Sequence, residues 1–428
     1  MNFRITRYKD NFKKTVTKYF LCLTILVVVA NSCKNNVKKC EDESEKAVSF
    51  LLDDKKIDEL FDKTVIHVNN AWPEVKEKSL LPRSMERGYR KISDWTSGFY
   101  PGCLWMAYEY GKDEAILEKA KYATELLEEE KYNTKDHDIG FRIYCSYGRA
   151  FDATKNPEYK AVIIQAAESA IARFDPKVGV IMSWNPKGNG FKTRNWQYPV
   201  IIDNMMNLEL LFAAAKFTGD KKYYDIAVKH ADKTMEYQYR DDFSCSHVVD
   251  YDSITGVFRR KDWNNGNNDP VTAAWSRGQS WGLYGYTLMY RETGDKKYLK
   301  HAENISSFIL NHPNMPKDMV PIWDYSGAKI SKMRDASAAA ILASGLFELS
   351  ELSKENGSKY FKEGKKIIES LSSPKYFAEP GTNGNFLIKH ATGNYLRDSE
   401  KDGTLIYADY YFLEALLRYK RLKNTVNN

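Results

Sequence analysis

The chain has 428 residues, a length that suits one large domain or two. Its 64 Lys and Arg residues against 57 Asp and Glu residues give a formal net charge of +7. Residues 1–32 hold six basic groups and one acid, so removing this excess of five from the +7 leaves +2. So small a net charge gives no argument for nucleic-acid binding, so we expect no nucleic-acid partner.

The first 32 residues have the pattern of a secretory signal. Basic residues precede an apolar run over residues 19–30, which is too short to span a membrane. Small and polar residues then lead to Cys33, as in a bacterial lipobox, so we expect lipidation at Cys33; a plain signal peptide is the alternative. Residues 33–46 are polar and charged, as in a flexible tether. We therefore assign residues 47–428 to the folded domain.

The cysteines and the common motifs predict no metal and no cofactor. Beyond Cys33 the sequence has Cys40, Cys103, Cys145 and Cys245, without CxxC spacing. Export permits disulfides, but the sequence does not determine how these four would pair. The HExxH, P-loop and GxSxG patterns are absent, so we expect chelators to have no effect.

A repeated motif dominates the rest of the chain. TGDKKYYDIAVKHA at 218–231 returns as TGDKKYLKHAENIS at 293–306, and weaker copies occur at 110–123, 154–167 and 355–368. In each copy a polar turn, usually with Gly or Asn-Pro, ends one helix, and an apolar residue soon afterwards begins the stripe of the next. The pattern therefore predicts a series of αα-hairpins.

Five such turns and a final helix at 407–421 predict about twelve helices in an all-α protein. An open solenoid normally has a shorter and stricter repeat, so the sequence favours a closed (α/α)6 toroid. In a toroid the inner helices surround a funnel, and loops at one end carry polar and aromatic residues. The aromatic surplus of 29 Tyr, 20 Phe and 9 Trp then indicates a ligand-binding cup.

Two acids stand at unusual positions for such helices. Asp203 interrupts the apolar stretch PVIIDNMMNLELLF at 199–212, which predicts a buried helix with a carboxylate inside it. Asp138 follows His137 at the start of another apolar helix. A helix cap would explain Asp138 and a partnered buried carboxylate would explain Asp203. If both face the funnel, the pair has the equipment for glycosidic chemistry.

Aromatic side chains and hydrogen-bond donors cluster near the same helix ends. Trp95 comes just before a helix, and Trp184 lies in a Gly-rich loop. The segment AAWSRGQSWGLYG at 273–285 combines tryptophans with potential donors for a carboxylate. The residues of interest in that segment are Trp275, Arg277, Gln279 and Trp281. Together with the two aspartates, these tryptophans and donors predict a binding site for an acidic sugar.

Six motifs in this order resemble the unsaturated glucuronyl hydrolases of glycoside hydrolase family 88. They are DWTSGFYPGCLWMAYEY, HDIGFRIYCS, VIIDNMMNLELL, WSRGQSWGLYG, RDASAAAI and YADYYFLEALLR. The resemblance covers about residues 60–421 and implies the same toroid. It also implies hydrolysis of polysaccharide-lyase products, whose terminal uronic acid carries a C4=C5 double bond that the enzyme hydrates.

The resemblance implies a role for each matching residue. Asp203 would handle the proton, kept neutral by its apolar helix, and Asp138 would hold the sugar ring and support that proton cycle. Arg277 would bind the uronate carboxylate. From the resemblance and from the loops that border its site, the predicted substrate-binding residues are Trp95, His137, Trp184, His247, Asn265, Trp275, Arg277, Gln279, Trp281, Lys389 and His390.

Two segments depart from the family pattern. Relatives commonly have His-Gln-Gly before the WSRGQ motif, whereas this chain has Asn265 before Gly266, and Asn is one methylene shorter. Lys389 and His390 lie in a loop that borders the family's sugar site. Both departures bear on the preferred leaving sugar or its sulfation.

Three other functions compete with this interpretation. The unsaturated rhamnogalacturonyl hydrolases share the toroid and the chemistry but act on pectin fragments. Sugar 2-epimerases share the toroid but depend on paired histidines, and this chain has only seven His. A non-catalytic glycan-binding lipoprotein would keep the tryptophans without needing Asp203. We therefore expect unsaturated uronate oligosaccharides as ligands of an exported protein, lipid-anchored in the cell envelope.

Overall fold

The computed structural model describes residues 52–188, 191–327 and 331–426. The signal, Cys33, Cys40 and the tether predicted over residues 33–46 lie outside the described residues. Within the described parts of the chain the helices number twelve, as the repeat predicts. They are α1 (Asp54–Lys78), α2 (Phe99–Gly111), α3 (Glu114–Glu125), α4 (a π-helical Gly140–Gly148 continued by Arg149–Thr154), α5 (Pro157–Ile171), α6 (Asn204–Thr218), α7 (Lys221–Tyr237), α8 (Ser276–Thr293), α9 (Lys296–Asn311), α10 (Ala336–Leu352), α11 (Gly357–Leu371) and α12 (Ile406–Val426).

The even-numbered helices form the inner ring of a closed toroid. α10 is buried at every position from Ala336 to Leu349, whereas its neighbour α11 buries one stripe. Each inner helix packs against the next, and α12 packs against α2, which closes the ring. A helix that is apolar all round must be surrounded by protein, so the inner positions follow from the sequence. The predicted (α/α)6 toroid is confirmed.

Local turn chemistry sets the hairpins. Gly219 and Gly294 adopt φ values of 73° and 70° directly after α6 and α8, where a residue with a Cβ would be strained. Asp220 and Asp295 then cap α7 and α9 by accepting hydrogen bonds from the backbone N–H groups of the second helical residues. The repeated TGDKKY motif is therefore a helix stop followed at once by a helix start.

Seven short strands lie between the helices in the described part of the chain, and the sequence pattern did not predict them. β1 (Leu81–Ser84) pairs with β2 (Gly88–Arg90), and β3 (Phe174–Asp175) pairs with β4 (Val180–Ile181). The three-stranded antiparallel sheet of β5 (Tyr198–Ile201), β6 (Val248–Tyr251) and β7 (Phe258–Asp262) matters most for the site. Its strands are too short to show a clear alternation.

Two further observations concern the cysteines and the hydrophobicity of the helices. Cys103, Cys145 and Cys245 are buried free thiols. In the described part of the chain, no helix combines the length and the apolar character needed to span a membrane.

Candidate active site

The β5–β6–β7 sheet brings together the residues at the centre of the site. Ile201 pairs with Val248 across β5 and β6, and the Ile202 N–H donates to the His247 carbonyl at 3.1 Å. Asp203 therefore leaves β5 beside His247, which enters β6. β7 ends at Asp262, three residues before Asn265. Asp203, His247 and Asn265 come from separate segments of the chain, and the sheet thus places them close together at one edge.

Asp203 lies at the turn between β5 and α6. The sequence placed it inside a helix over residues 199–212, and this was wrong, because β5 occupies the first part and α6 begins at Asn204. Asp203 is the N-cap residue but makes no side-chain cap hydrogen bond. Its Oδ2 accepts no hydrogen bond from any described residue and lies 3.5 Å from Nε2 of His247. The Oδ2 atom is thus buried beside the His247 ring without a hydrogen bond from any described residue.

The orientation of His247 is fixed by the backbone of Asn265. The Asn265 N–H donates to Nδ1 of His247 at 3.0 Å. In the neutral ring the hydrogen must then sit on Nε2, which faces Asp203. Asn265 therefore acts through its backbone here, and its side-chain oxygen, buried, has no described partner.

Asp138 joins the cluster from the start of α4. Its Oδ1 lies 3.3 Å from Nε2 of His137, whose ring is buried. The N-cap of the π-helical segment is Ile139, and no side-chain cap bond is made there. The helix-cap explanation of Asp138 is therefore wrong.

The two carboxyl groups have opposite pKa shifts. Burial raises the pKa of Asp138 well above its ordinary value, with repulsion from Asp136 and Asp203 adding to the effect. Burial also acts on Asp203, but His247, His137 and Arg277 outweigh it and hold the pKa of Asp203 below its ordinary value. The prediction from the sequence rested only on burial, which does favour the neutral form of Asp203, but the neighbouring His and Arg side chains act in the opposite direction. In the free enzyme Asp138 therefore holds a proton more readily than Asp203 does.

Arg277 is buried and tied to the loop before α12. Its Nη1 donates to Oδ2 of Asp335 at 2.9 Å, to the carbonyl of Thr392 at 2.5 Å and to Oγ of Ser337 at 3.2 Å, and its Nη2 donates to the carbonyl of Gly393 at 2.8 Å. A guanidinium has five N–H donors. The Nε–H and the second N–H of Nη2 make no hydrogen bond to a described residue, and these two donors could bind a substrate carboxylate.

Gln279 and Trp281 were predicted to bind substrate, and the structure places both in the core. The Gln279 amide donates to the Cys245 carbonyl at 3.2 Å and accepts from the Cys245 N–H at 3.2 Å, which anchors the segment before His247. Trp281 is fully buried between Phe141 and Tyr411. Spacing placed these residues on α8 correctly but did not determine which face they occupy.

Of the other three predicted tryptophans, two contact the His247 ring. Trp275 packs against the His247 ring with centroids 4.7 Å apart. Trp184 meets the His247 ring edge-on, with centroids 5.8 Å apart. Trp95 is partly buried and packs against Tyr407 at 4.9 Å. The structure therefore brings Trp184 and Trp275 to the ring of His247.

Lys389 and His390 have other partners. The Lys389 ammonium donates to the carbonyl of Pro374 at 2.5 Å, and His390 Nδ1 lies 2.7 Å from Oδ1 of Asp402. Among the described residues, neither side chain has a contact with Asp203, Asp138 or His247. Their predicted role in binding substrate gains no support from this geometry.

Three residues of the site were not predicted from the sequence. Asp335 fixes Arg277 and caps α10, and Tyr407 lies under the Arg277 guanidinium at 5.1 Å. Phe191 stacks on Trp184 with centroids 4.7 Å apart and an interplanar angle of 10°. Asp335 and Tyr407 lie within the RDASAAAI and YADYYFLEALLR motifs, and membership of these motifs could have indicated that the two residues belong to the site. Across the described residues, no group of three or more His, Cys, Asp or Glu could hold a metal ion.

Comparison with known proteins identifies the family. The profile of Glycosyl Hydrolase Family 88 matches residues 65–290. An unsaturated glucuronyl hydrolase of Formosa agariphila is 42% identical over 404 residues, covering 94% of this chain and 97% of the relative. The chain belongs to glycoside hydrolase family 88.

Solved structures agree with this assignment. The crystal structure of an unsaturated glucuronyl hydrolase specific for heparin has a TM-score of 0.81 and 42% identity, covering 87% of this chain and 99% of that chain. A Streptococcus agalactiae unsaturated glucuronyl hydrolase mutant complexed with dGlcA-GalNAc6S has a TM-score of 0.70 and 25% identity, covering 88% of this chain and 96% of that chain.

The predicted activity is confirmed as well. The chain is a glycosidase that removes a 4,5-unsaturated uronic acid from the non-reducing end of polysaccharide-lyase products. This sets aside the rhamnogalacturonyl hydrolase, 2-epimerase and non-catalytic alternatives.

Asp138→Asn tests whether Asp138 serves chemistry or stability. We expect kcat to fall at least ~10²-fold, because removing a group that takes part in proton transfer typically costs this much. The free energy of unfolding should fall by no more than about 0.5 kcal/mol, since no cap bond is lost. Denaturant unfolding and steady-state kinetics on the same preparation measure both quantities.

Asp335→Asn is the matched control, because Asp335 does cap a helix and pairs with a buried arginine. Breaking that pair should cost about 3–5 kcal/mol. Normal kinetics with reduced stability in Asp138→Asn would return Asp138 to a structural role.

Proposed function

We propose that Asp138 and Asp203 form a pair that carries one proton, and that Asp203 delivers it to C4 of the unsaturated uronate. The observation that carries this proposal is the unpartnered Oδ2 of Asp203, which lies 3.5 Å from Nε2 of His247. Asp138, with a raised pKa, is the neighbouring proton store. Coupled carboxyl groups share a proton as a pair rather than as separate residues.

Substrate binding moves the proton toward Asp203. A bound uronate adds a negative charge and excludes water, and both effects favour the neutral form of a nearby carboxyl group. The pKa of Asp203 depends on His247, His137 and Arg277. When a substrate carboxylate contacts Arg277, part of that cation's effect on Asp203 is cancelled. The acid is therefore formed in the complex rather than in the free enzyme.

The reaction then needs one acid and one base at the same position. Proton transfer from Asp203 to C4 leaves the positive charge on C5 and the ring oxygen. Water adds at C5 and returns a proton to the Asp203 carboxylate. The resulting hemiketal opens to a C5 ketone, and the hemiacetal left at C1 collapses to an aldehyde and releases the leaving sugar.

His247 supports both stages of this cycle. Its Nε2–H points at Asp203 because Nδ1 is occupied by the Asn265 backbone N–H. A donor at this place stabilises the carboxylate that forms when the proton has left. The remaining Nε edge of Arg277 binds the uronate carboxylate, and Trp184 and Trp275 provide flat surfaces for the sugar.

We further propose glycosaminoglycan fragments as the substrate class. Support comes from the relative that is described as specific for heparin, at 42% identity, and from the dGlcA-GalNAc6S complex of a more distant relative. Lyase products of heparin and chondroitin are therefore the first substrates to assay.

Asp203→Asn tests the central role of the pair. We expect the rate to fall by about 10²–10⁴-fold, because an amide cannot deliver the proton. Substrate affinity and folding should stay near those of the wild type, since Asp203 makes no cap bond. Loss of the double bond's ultraviolet absorbance with heparin and chondroitin disaccharides measures the rate, and calorimetry measures affinity. A variant with near-wild-type turnover on every accepted substrate would make Asp203 a structural acid.

We also propose that the mature protein is anchored in the cell envelope by lipid on Cys33. Support comes from the apolar run at 19–30, the small and polar residues before Cys33 and the charged segment after it. Stable anchoring needs more than one acyl chain, which a lipidated N-terminal cysteine provides.

Cys33→Ser tests the anchor. The wild type should fractionate with membranes and extract into detergent, whereas the variant should not be processed as a lipoprotein. A chain starting at about residue 41 should be water-soluble and fully active. A wild-type mature N-terminus other than Cys33, with all protein in the aqueous fraction, would contradict the anchor and leave the enzyme assignment intact.

A further inference from the structure

The helix that follows Asp138 begins in an unusual form. Its first nine residues, Gly140–Gly148, are π-helical, and π-helical turns are rare and frequently lie at functional sites. The backbone N–H groups at the start of a helix have no acceptor within the helix. No side-chain cap hydrogen bond is made at the N-cap, Ile139. The start of α4 therefore needs an acceptor from another part of the protein.

Asn207, a buried residue of α6, supplies this acceptor. Its Oδ1 accepts a hydrogen bond from the Phe141 N–H at 3.0 Å, although 66 residues separate the two in the chain. Its Nδ2 donates to the carbonyl oxygen of Asp203 at 3.5 Å, one turn earlier at the start of the same helix. One amide group thus connects the segment that follows Asp138 to the backbone of Asp203.

Gly140 allows α4 to approach Asn207 this closely. A Cβ atom at Gly140 would lie 2.6 Å from Oδ1 of Asn207 and 2.8 Å from its Cα. Both distances are shorter than van der Waals contact, so a larger residue would push the start of α4 away from α6. The spacing between the two helix starts is therefore set by direct contact of Gly140 with Asn207.

The protonation of Asp138 depends on this spacing. The titratable and charged groups that face it come from its own segment, from the turn before α6 and from the loop before α2, and they are Asp136, His137, Arg142, Asp203 and Asp94. Burial, with repulsion from Asp136 and Asp203, raises the pKa of Asp138. Separating α4 from α6 would weaken the repulsion by Asp203 and admit water, and both changes would lower that pKa.

We propose that Asn207 is a positioning residue, which sets the spacing between Asp138 and Asp203 by capping α4 from α6. Because Asn207 provides the acceptor, the side chain of Asp138 is not needed as a cap and faces the site instead. The inference rests on the proposed function, since two carboxyl groups can share one proton only at a fixed spacing. A displacement of about 1 Å in a catalytic group can cost roughly 10²-fold in rate.

Asn207→Leu in the mature full-length enzyme tests this role, because leucine is similar in size to asparagine but has no acceptor. Asn156→Leu is the matched control, since Oδ1 of Asn156 accepts from the Glu158 N–H at 2.9 Å at the start of α5, beyond the end of α4 that is remote from Asp138. Asn207→Asp restores an acceptor at the original position. If circular dichroism shows that Asn207→Leu does not fold, Asn207→Ser replaces it, because the shorter serine side chain holds its oxygen farther from the Phe141 N–H.

Steady-state kinetics across pH and the melting temperature of each variant provide the measurements. We expect Asn207→Leu to lower kcat by roughly 10²-fold with little change in KM, because the acid is displaced while the sugar contacts remain. The alkaline midpoint of kcat/KM should move about one pH unit lower, as the pKa of Asp138 falls. Asn207→Asp should recover most of kcat. Asn156→Leu should lower the melting temperature and leave kcat and the midpoint unchanged.

Three results would overturn the positioning role. The first is a lower melting temperature in Asn207→Leu together with wild-type kcat and a wild-type alkaline midpoint, which would make Asn207 purely structural. The second is an equal loss of kcat in Asn156→Leu, and the third is no recovery of kcat in Asn207→Asp. An alkaline midpoint that Asp138→Asn leaves unchanged would instead overturn the proposed function.

Discussion

The site depends on one carboxylate, Asp203, held where burial opposes its charge and His247 supports it. Nε2 of His247 lies 3.5 Å from Oδ2 of Asp203, and Nδ1 of His247 is fixed by the Asn265 N–H. Moving any of the three strands β5, β6 and β7 would separate these groups. In the proposed mechanism, the negative charge of the bound substrate shifts this balance toward the neutral form of Asp203.

The toroid makes this arrangement possible. Each inner helix begins at the same end of the ring, so residues that precede α4, α6 and α8 meet there although they lie far apart in the chain. The buried inner helices give these residues a rigid base. Asp335 and Arg277 extend the support to α10 and to the loop at Thr392 and Gly393. The proposed catalytic groups, which lie on turns, are thereby supported by packed helices.

The sequence predicted those features that local chemistry determines. Gly219 and Asp220 stop one helix and start the next, so the hairpins and the toroid could be predicted. Gln279 could be placed on α8, but its orientation depends on Cys245, 34 residues earlier. The charge state of Asp203 depends on His247, 44 residues later, and no periodicity encodes such a contact. The short strands escaped prediction because two to five residues give too little pattern.

The dependence of kcat/KM on pH tests the central claim most directly, since it reports groups of the free enzyme. If the pair must carry one proton, activity should fall on the alkaline side with a slope of one proton. The midpoint should lie well above about 4, the ordinary value for Asp, because the pKa of Asp138 is raised. Asp138→Asn should shift or abolish that midpoint in its residual activity. An alkaline limb that is unchanged in Asp138→Asn would contradict a proton shared between Asp138 and Asp203.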